Sequence, residues 1–369
     1  MKLRKITALF SALVIAVGLT ACAGTTTETT TAEGTTQATT ATEATAAETT
    51  KGSGLITVGF AQVGHESDWR TASTNSVKAA LSKDNGFDLQ FVDCDNDSAA
   101  QLEAVRNFIE QDVDYIVIDP IVATGWDTVL TEAKDAGIPV IVLDRTIDDS
   151  DKYVAWIGSE FTNEGLAAGA WLQAYAELKG IKELNILVIE GTTGASAQIG
   201  RTDGFKKIAD ANGWNILDSQ SGEFTQDGGQ AVMESYCKSY EGKFNVVVCQ
   251  NDNEAFGAED AMDAAGVTYG VKGDVILISF DSTKAGLTEL LAGNFNSDFQ
   301  CNPLQGPSLA DLLNKLVAGE TVDTKQFMPE TWYVNEPDLK SITYTNVIDK
   351  SVTEDLVVVT QDMIDNAQY

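Results

Sequence analysis

Asp144 and Arg145 stand together at the end of a short apolar run, Val140 to Leu143, and this pair carries the clearest chemistry in the chain. A carboxylate offers only acceptors, and a guanidinium offers a planar fork of donors. Side by side they suit vicinal hydroxyls. Residues of the same kind recur after other apolar runs. Gln62 is followed by His65-Glu66-Ser67-Asp68-Trp69-Arg70; Gly191-Thr192-Thr193-Gly194 opens a helical pattern with Arg201 two turns in. Asn251-Asp252, Asp281, Gln300 and Asn302 come later. Acids, amides, arginines and an aromatic ring make up a carbohydrate site: charged partners hold the hydroxyls and the ring takes the apolar face of the sugar. Each residue alone has a plainer reading. A charged strand end can simply meet solvent. Asp68 and Asn253 can be helix N-caps, and Trp69 can be helix-face core. Asp95 and Asp97 lack the glycine of a calcium loop and read as a Ser-capped turn.

Composition narrows the function. The chain has 369 residues, enough for two domains, and a net charge of −31. That charge argues against nucleic acid or an anionic membrane surface as partner, because both need a basic footprint. His65 is the single histidine, and no His/Cys cluster has metal-ligand spacing, so neither a metal nor a cofactor is expected. No Gly-x-Ser-x-Gly elbow accompanies His65, so the chain does not read as an enzyme. Of the five cysteines, Cys94, Cys237, Cys249 and Cys301 could pair in an exported protein, and the sequence leaves their connectivity open.

The first 21 residues read as a signal peptide. Lys2, Arg4 and Lys5 precede an apolar stretch, Ala8 to Leu19, that is too short for a comfortable membrane span. Leu19-Thr20-Ala21-Cys22 resembles the bacterial lipobox, which implies that Cys22 becomes the lipidated first residue and anchors the protein without a transmembrane helix. Residues 22–54 are Thr, Ala, Glu and Gly with almost nothing large, and such a segment is expected to be a disordered tether.

From Leu55 a strand–helix rhythm positions the polar residues above. Predicted strands begin at Leu55, Phe87, Tyr115, Val140 and Tyr153, and again at Leu184, Trp214, Asn245, Val275 and Asn296. Predicted helices run Asp68–Ser82, Ala99–Glu110 and Trp126–Ala136 in the first set and Ala195–Ala211, Asp227–Tyr240, Asn253–Ala265 and Thr283–Leu291 in the second, the second of them with a Ser98/Gln101 capping box and the third stopped by Gly137 before Pro139. This alternation means βαβ units and parallel sheets, twice over: an α/β fold of two doubly wound lobes. Ligands of such sheets sit beyond the carboxyl ends of the strands, and a cleft between domains is a favoured small-molecule site.

These residues carry a family resemblance. Thr57-Val-Gly-Phe-Ala-Gln-Val-Gly64, Ser67-Asp-Trp-Arg70, Leu143-Asp-Arg145, Arg201-Thr-Asp-Gly-Phe205, Cys249-Gln-Asn-Asp252 and Ser279-Phe-Asp281 resemble the periplasmic-binding-protein superfamily, sugar-binding (ribose-type) group, over about Leu55 to Val334. The resemblance implies a type I fold whose lobes are joined by a hinge of three crossings, near Ser159, Gln300 and Glu320. The N-terminal lobe is then 55–159 with about 301–319, the C-terminal lobe 160–300 with about 320–335, and 336–369 an extension without a functional account. It implies that Trp69 stacks on the sugar, with Phe224 as the other face. Glu66, Arg70, Asp144 and Arg145 hold it from the first lobe, and Arg201, Asn251 and Asp281 from the second, with Gln300 as a further contact. The expected function is a monomeric, extracytoplasmic lipoprotein that delivers a galactofuranose-like hexose to ABC permease subunits by cleft closure. A sensor subunit presenting its ligand to a membrane receptor is the alternative.

Overall fold

The computed structural model describes residues 54–148 and 151–369, so the expected signal peptide, Cys22 and all of the tether but Gly54 lie outside the described residues. The first lobe opens with β1 (Ile56–Gln62), α1 (Asp68–Ala80), β2 (Phe87–Asp93), α2 (Ser98–Glu110), β3 (Tyr115–Ile118), α3 (Asp127–Asp135), β4 (Val140–Leu143) and β5 (Ala155–Gly158). The second continues with α4 (Phe161–Lys179), β6 (Asn185–Glu190), α5 (Ser196–Asn212), β7 (Asn215–Ser221), α6 (Gln226–Ser239), β8 (Val246–Cys249), α7 (Asp252–Ala265), β9 (Ile276–Asp281), α8 (Lys284–Ala292) and β10 (Ser297–Gln300). The chain then crosses back for α9 (Gly306–Val317) and β11 (Lys325–Phe327), and crosses again for β12 (Trp332–Val334), β13 (Ser341–Thr345), β14 (Ser351–Val358) and α10 (Gln361–Asn366).

Sheet order explains where a ligand can sit. The first sheet runs β11-β5-β4-β3-β1-β2 and the second β13-β14-β12-β10-β9-β8-β6-β7. Each contains a parallel 2-1-3-4-5 arrangement whose direction of winding reverses between its first and third strands, β1/β3 in one lobe and β6/β8 in the other. Loops leaving the strands part at that switch point and leave a crevice. The central strands are buried on both faces, as the all-apolar β4 illustrates with four buried residues.

Local chemistry sets the helix starts. Ser67 caps α1 by accepting from the Arg70 amide. α2 is capped by Asp97, whose carboxylate accepts from the Ala99 and Ala100 amides, and not by the expected Ser98. Gln101, expected in a capping box, is instead buried. Its amide donates to the Ala61 and Asp119 carbonyls and its oxygen accepts from the Ile121 amide, which braces the ends of β1 and β3.

Two expectations need correction. The third crossing does not fall near Glu320: β11 still pairs with β5 in the first sheet, and the chain leaves that lobe only after Phe327. Residues 336–369 complete the second lobe. β14 pairs in parallel with β12, β13 pairs antiparallel with β14, and Ile342, Tyr344 and Leu356 enter the core that holds Trp171 and Trp332. Cys94, Cys237, Cys249 and Cys301 are all free thiols. Among the described residues, no helix is long and apolar enough to cross a membrane.

Candidate ligand-binding cavity

The first lobe presents its charges from the ends of β1 and β4. Arg70, in the first turn of α1, is buried among three carboxylates. Its Nε donates to Glu66 at 2.9 Å, one terminal nitrogen donates to Asp144 at 2.9 Å, and the other pairs with Asp119. Burial opposes a charge here, but Asp119, Glu66 and Asp144 outweigh it and hold Arg70 firmly protonated. Glu66 stays ionised for the converse reason: burial would raise its pKa, and Arg70 and Arg145 bring it below the usual range. Asp119, wholly buried, goes the other way. Burial pushes its pKa well up, and Arg70 only partly compensates.

The backbone turns at Asp144, whose φ is +57°. The turn is pinned by the Asp144 amide donating to Ile157 at 2.7 Å and by the Trp156 indole donating to the Asp144 carbonyl at 2.9 Å. This turn is what the expected joint use of Asp144 and Arg145 required, since consecutive strand residues point to opposite faces. The two side chains then part. Asp144 binds Arg70, and Arg145 donates to the Ile121 carbonyl and lies 3.6 Å from Glu66.

The second lobe answers with Arg201. Its Nε donates to Glu164 at 2.6 Å, one terminal nitrogen binds the Gln250 carbonyl, and the other reaches Asp281 at 3.2 Å. Asp281 is buried, and burial, partly offset by Arg201, pushes its pKa up to about 8. Phe224 projects from a turn in which Glu223 and Phe224 both have positive φ, 60° and 61°. Such a pair is costly without support. Glu254 supplies it by accepting from the Phe224 amide at 2.9 Å, and the Asn251 amide donates to the Phe224 carbonyl at 3.0 Å. Gly191 makes room beneath the ring, since a Cβ there would lie 1.9 Å from a ring carbon.

The lobes meet. The Asp68 amide donates to Asn253, the Thr146 amide to Ser196 and the Ala123 amide to the Gly194 carbonyl, all across the cleft. Between them lies a small cavity, with about 20 Å³ open to the centre of a water-sized sphere. Of the residues expected at a site, Glu66, Trp69, Arg70, Asp144, Arg145, Arg201, Phe224, Asn251 and Asp281 all line it. Gln300 does not. Its side chain turns to the Tyr369 hydroxyl at 2.8 Å, and Asn302 binds the Pro329 carbonyl in the hinge. Asp68 and Asn253 serve as the cross-cleft contact, and the cap of α7 is Asn251.

Phe161, Ala197 and Cys301 also line the cavity and were not expected there. Phe161 and Cys301 follow the first two crossings, so their position next to expected hinge points was the available signal. Glu164, Glu254 and Asp119 support the lining from behind, and no local pattern marks them.

Three carboxyl groups (Glu66, Asp144, Asp281) and three guanidiniums (Arg70, Arg145, Arg201) face this space with Trp69, Phe161 and Phe224. Acceptors and forked donors between aromatic walls suit a polyhydroxy ring. His65 pairs with Asp93 at the surface, away from the cavity. The Cys301 thiol is pushed up by burial and is no nucleophile at neutral pH.

Comparisons with known proteins agree with this geometry. Residues 58–321 match the family described as "Periplasmic binding protein domain". The galactofuranose-binding protein YtfQ of Escherichia coli is 40% identical over 276 residues, 73% of this chain and 85% of that one. A Mycobacterium smegmatis protein solved in complex with β-D-fucofuranose superposes with a TM-score of 0.72 at 43% identity, over 76% of this chain and 91% of that one. The binding-protein component of the arabinose ABC transporter from Shewanella sp. ANA-3, bound to α- and β-L-arabinofuranose, gives a TM-score of 0.70 at 36% identity, over 75% and 91%.

Proposed function

The chain belongs to the periplasmic binding protein domain family, and from that premise we infer that it is an extracytoplasmic sugar-binding protein of an ABC importer. Its ligand is a neutral monosaccharide in the five-membered furanose form, with a galactofuranose-like hexose favoured. The observation that carries this reading is the cavity itself: carboxyl groups and guanidiniums between aromatic walls, set between two lobes. The ring form is supported by the proteins named above, whose ligands differ in their substituents and share the furanose ring.

In this reading the lobes rotate about the three crossings and shut on the sugar. The ring is held between Trp69 and Phe224. Arg145, Glu66 and the Arg70–Asp144 pair take hydroxyls from one side, and Arg201, Asn251 and Asp281 from the other. The closed form then docks on the permease, and a lipid on Cys22 keeps the protein at the membrane.

A thermal-shift screen tests the ligand. D-galactose, D-fucose, L-arabinose, D-ribose and methyl β-D-galactofuranoside are compared with pyranose-locked methyl glycosides. A ligand that binds the folded state raises the melting temperature by mass action. Stabilisation by sugars able to adopt the furanose ring, and none by the pyranose-locked set, is the expected result. The reverse pattern, or no shift with any sugar, overturns it.

A further inference from the structure

Every chain crossing between the lobes ends at one buried cluster. Ser159 lies in the first crossing, Cys301 in the second and Glu330 in the third. The Cys301 thiol donates to the Ser159 hydroxyl at 3.4 Å. Glu330 lies beside Ser159 on one side and Glu164, at the start of α4, on the other, close enough for both to bear on its ionisation. Donor atoms of Glu164, Cys301 and Glu330 lie within 4.8 Å of one another. The backbone laces the same segments: the Met328 amide donates to the Gly158 carbonyl at 2.9 Å, and the Gln300 amide to Thr331 at 3.1 Å.

The acids are the unusual part. Glu164 is fully buried, and one oxygen of Glu164 and one of Glu330 are buried without a donor from any other group. Two carboxylates cannot satisfy one another, whereas a carboxylic acid and a carboxylate can, through one shared proton. Arg201 already supplies Glu164 with a cation at 2.6 Å and would repel a second, so a proton fits between the acids better than a metal ion.

We propose that Glu330 is a proton-operated clasp on the hinge. As the neutral acid it bridges Ser159 and Glu164 and holds the three crossings together; when it ionises, the crossings part and the lobes open. The surroundings favour the acid. Burial pushes Glu330 well above the usual carboxyl range, the charge of Glu164 adds to this, and the Ser159 hydroxyl and Arg201 oppose it. Tyr344 of β13 also lies within electrostatic reach of Glu330. Asp144 and Asp281 bear on Glu164 and Cys301 and raise both. Arg201 connects the clasp to the cavity, because the same guanidinium binds Glu164 and Asp281.

The test uses the protein without sugar, so it stands apart from the assignment of function. Melting temperature and the radius of gyration by small-angle X-ray scattering are measured from about pH 6 to about pH 9. Glu330→Gln keeps the shape and can donate to Glu164, but it cannot ionise. Wild type is expected to expand and lose several degrees of melting temperature as pH rises, and Glu330→Gln is expected to stay compact with a flatter profile. Should the glutamine variant fail to fold, Ser159→Ala replaces it. That change removes a hydroxyl that favours the ionised acid, so it should move the expansion to higher pH. A wild-type radius independent of pH overturns the proposal, as does a variant whose profile runs parallel to wild type.

Discussion

Arg145 of the first lobe lies over the ring of Phe224 of the second, its guanidinium carbon 5.1 Å from the ring centroid. Both side chains are buried, and the contact exists only while the lobes are together. A cation over a desolvated aromatic face is favourable by about 2 kcal/mol. In the proposed function, recognition and closure share this one pair of residues.

Arg145→Ala removes that contact and, in the proposed function, a donor to the sugar. Truncating one member of a buried, hydrogen-bonded charge pair costs about 2–5 kcal/mol of affinity. We expect at least about a tenfold loss by calorimetry with the best sugar of the screen, which is about 1.4 kcal/mol. An unchanged affinity would remove the exit of β4 from the site.

Gly191→Ala tests the seat of Phe224. The added methyl would meet the ring at 1.9 Å. Overpacking of this kind costs about 1–3 kcal/mol. The melting temperature should fall, and sugar affinity with it, because the left-handed turn at Glu223 and Phe224 has no slack. Normal affinity in a folded Gly191→Ala protein would show that the ring does not touch the ligand.

Arg70 differs from Arg145 because it holds the fold. Arg70→Met leaves Glu66, Asp119 and Asp144 buried around a neutral side chain. Removing one partner from a buried charged cluster typically costs about 3–5 kcal/mol. Chemical denaturation should register that loss in the ligand-free protein, and a variant as stable as wild type would show that the carboxylates rearrange without their cation.

Asp281 gives a pH signature. Its folded-state pKa, up to about 8, lies above that of an unfolded aspartate. The folded state therefore binds the proton more tightly, and this contribution to stability is complete at low pH and is lost as pH rises through about 8. Asp281→Asn keeps the positive φ, which asparagine tolerates. We expect its melting temperature to decline less than that of wild type between about pH 4 and about pH 8; equal declines would mean that Asp281 is already ionised at neutral pH.

Cys22→Ser addresses the anchor, where only the sequence speaks. Fractionation of cells expressing each form should find wild type with the membrane and the variant in the soluble fraction or medium. A variant held as firmly as wild type would rule out lipidation at Cys22.

Elements with a local signature were legible in the sequence. β4 was placed from Val140 to Leu143 because its apolar run is bounded by Pro139 and the charged Asp144, and the observed strand has the same limits. α4 was missed for a physical reason. Twelve of its residues are buried, including Gly165, Ala167, Ala168 and Trp171, so it shows no polar stripe, and its cap Glu160 makes no side-chain bond. β11 is a three-residue edge strand, Lys-Gln-Phe, with no apolar run to mark it, and the misplaced third crossing follows from that. At the site, residues at strand exits were legible because topology aims every exit at the cleft. Glu254, Glu164 and Asp119 were not, because a supporting carboxylate is defined by a partner from another part of the chain. Gln300 was misassigned because Tyr369, which claims it, comes from a tail whose place in the fold the sequence did not disclose.

Cys301 sits at the floor of the cavity, at the second crossing, with a free thiol that is 2% exposed. A sulfur in that place is a clock for the hinge. In the proposed closure a small alkylating reagent reaches it only while the lobes stand apart, so the labelling rate read at Cys301 itself counts openings per unit time, one molecule after another. The protein thus carries its own gauge of how often it breathes, without an added dye or an engineered probe, and a sugar that shuts the cleft should slow the clock.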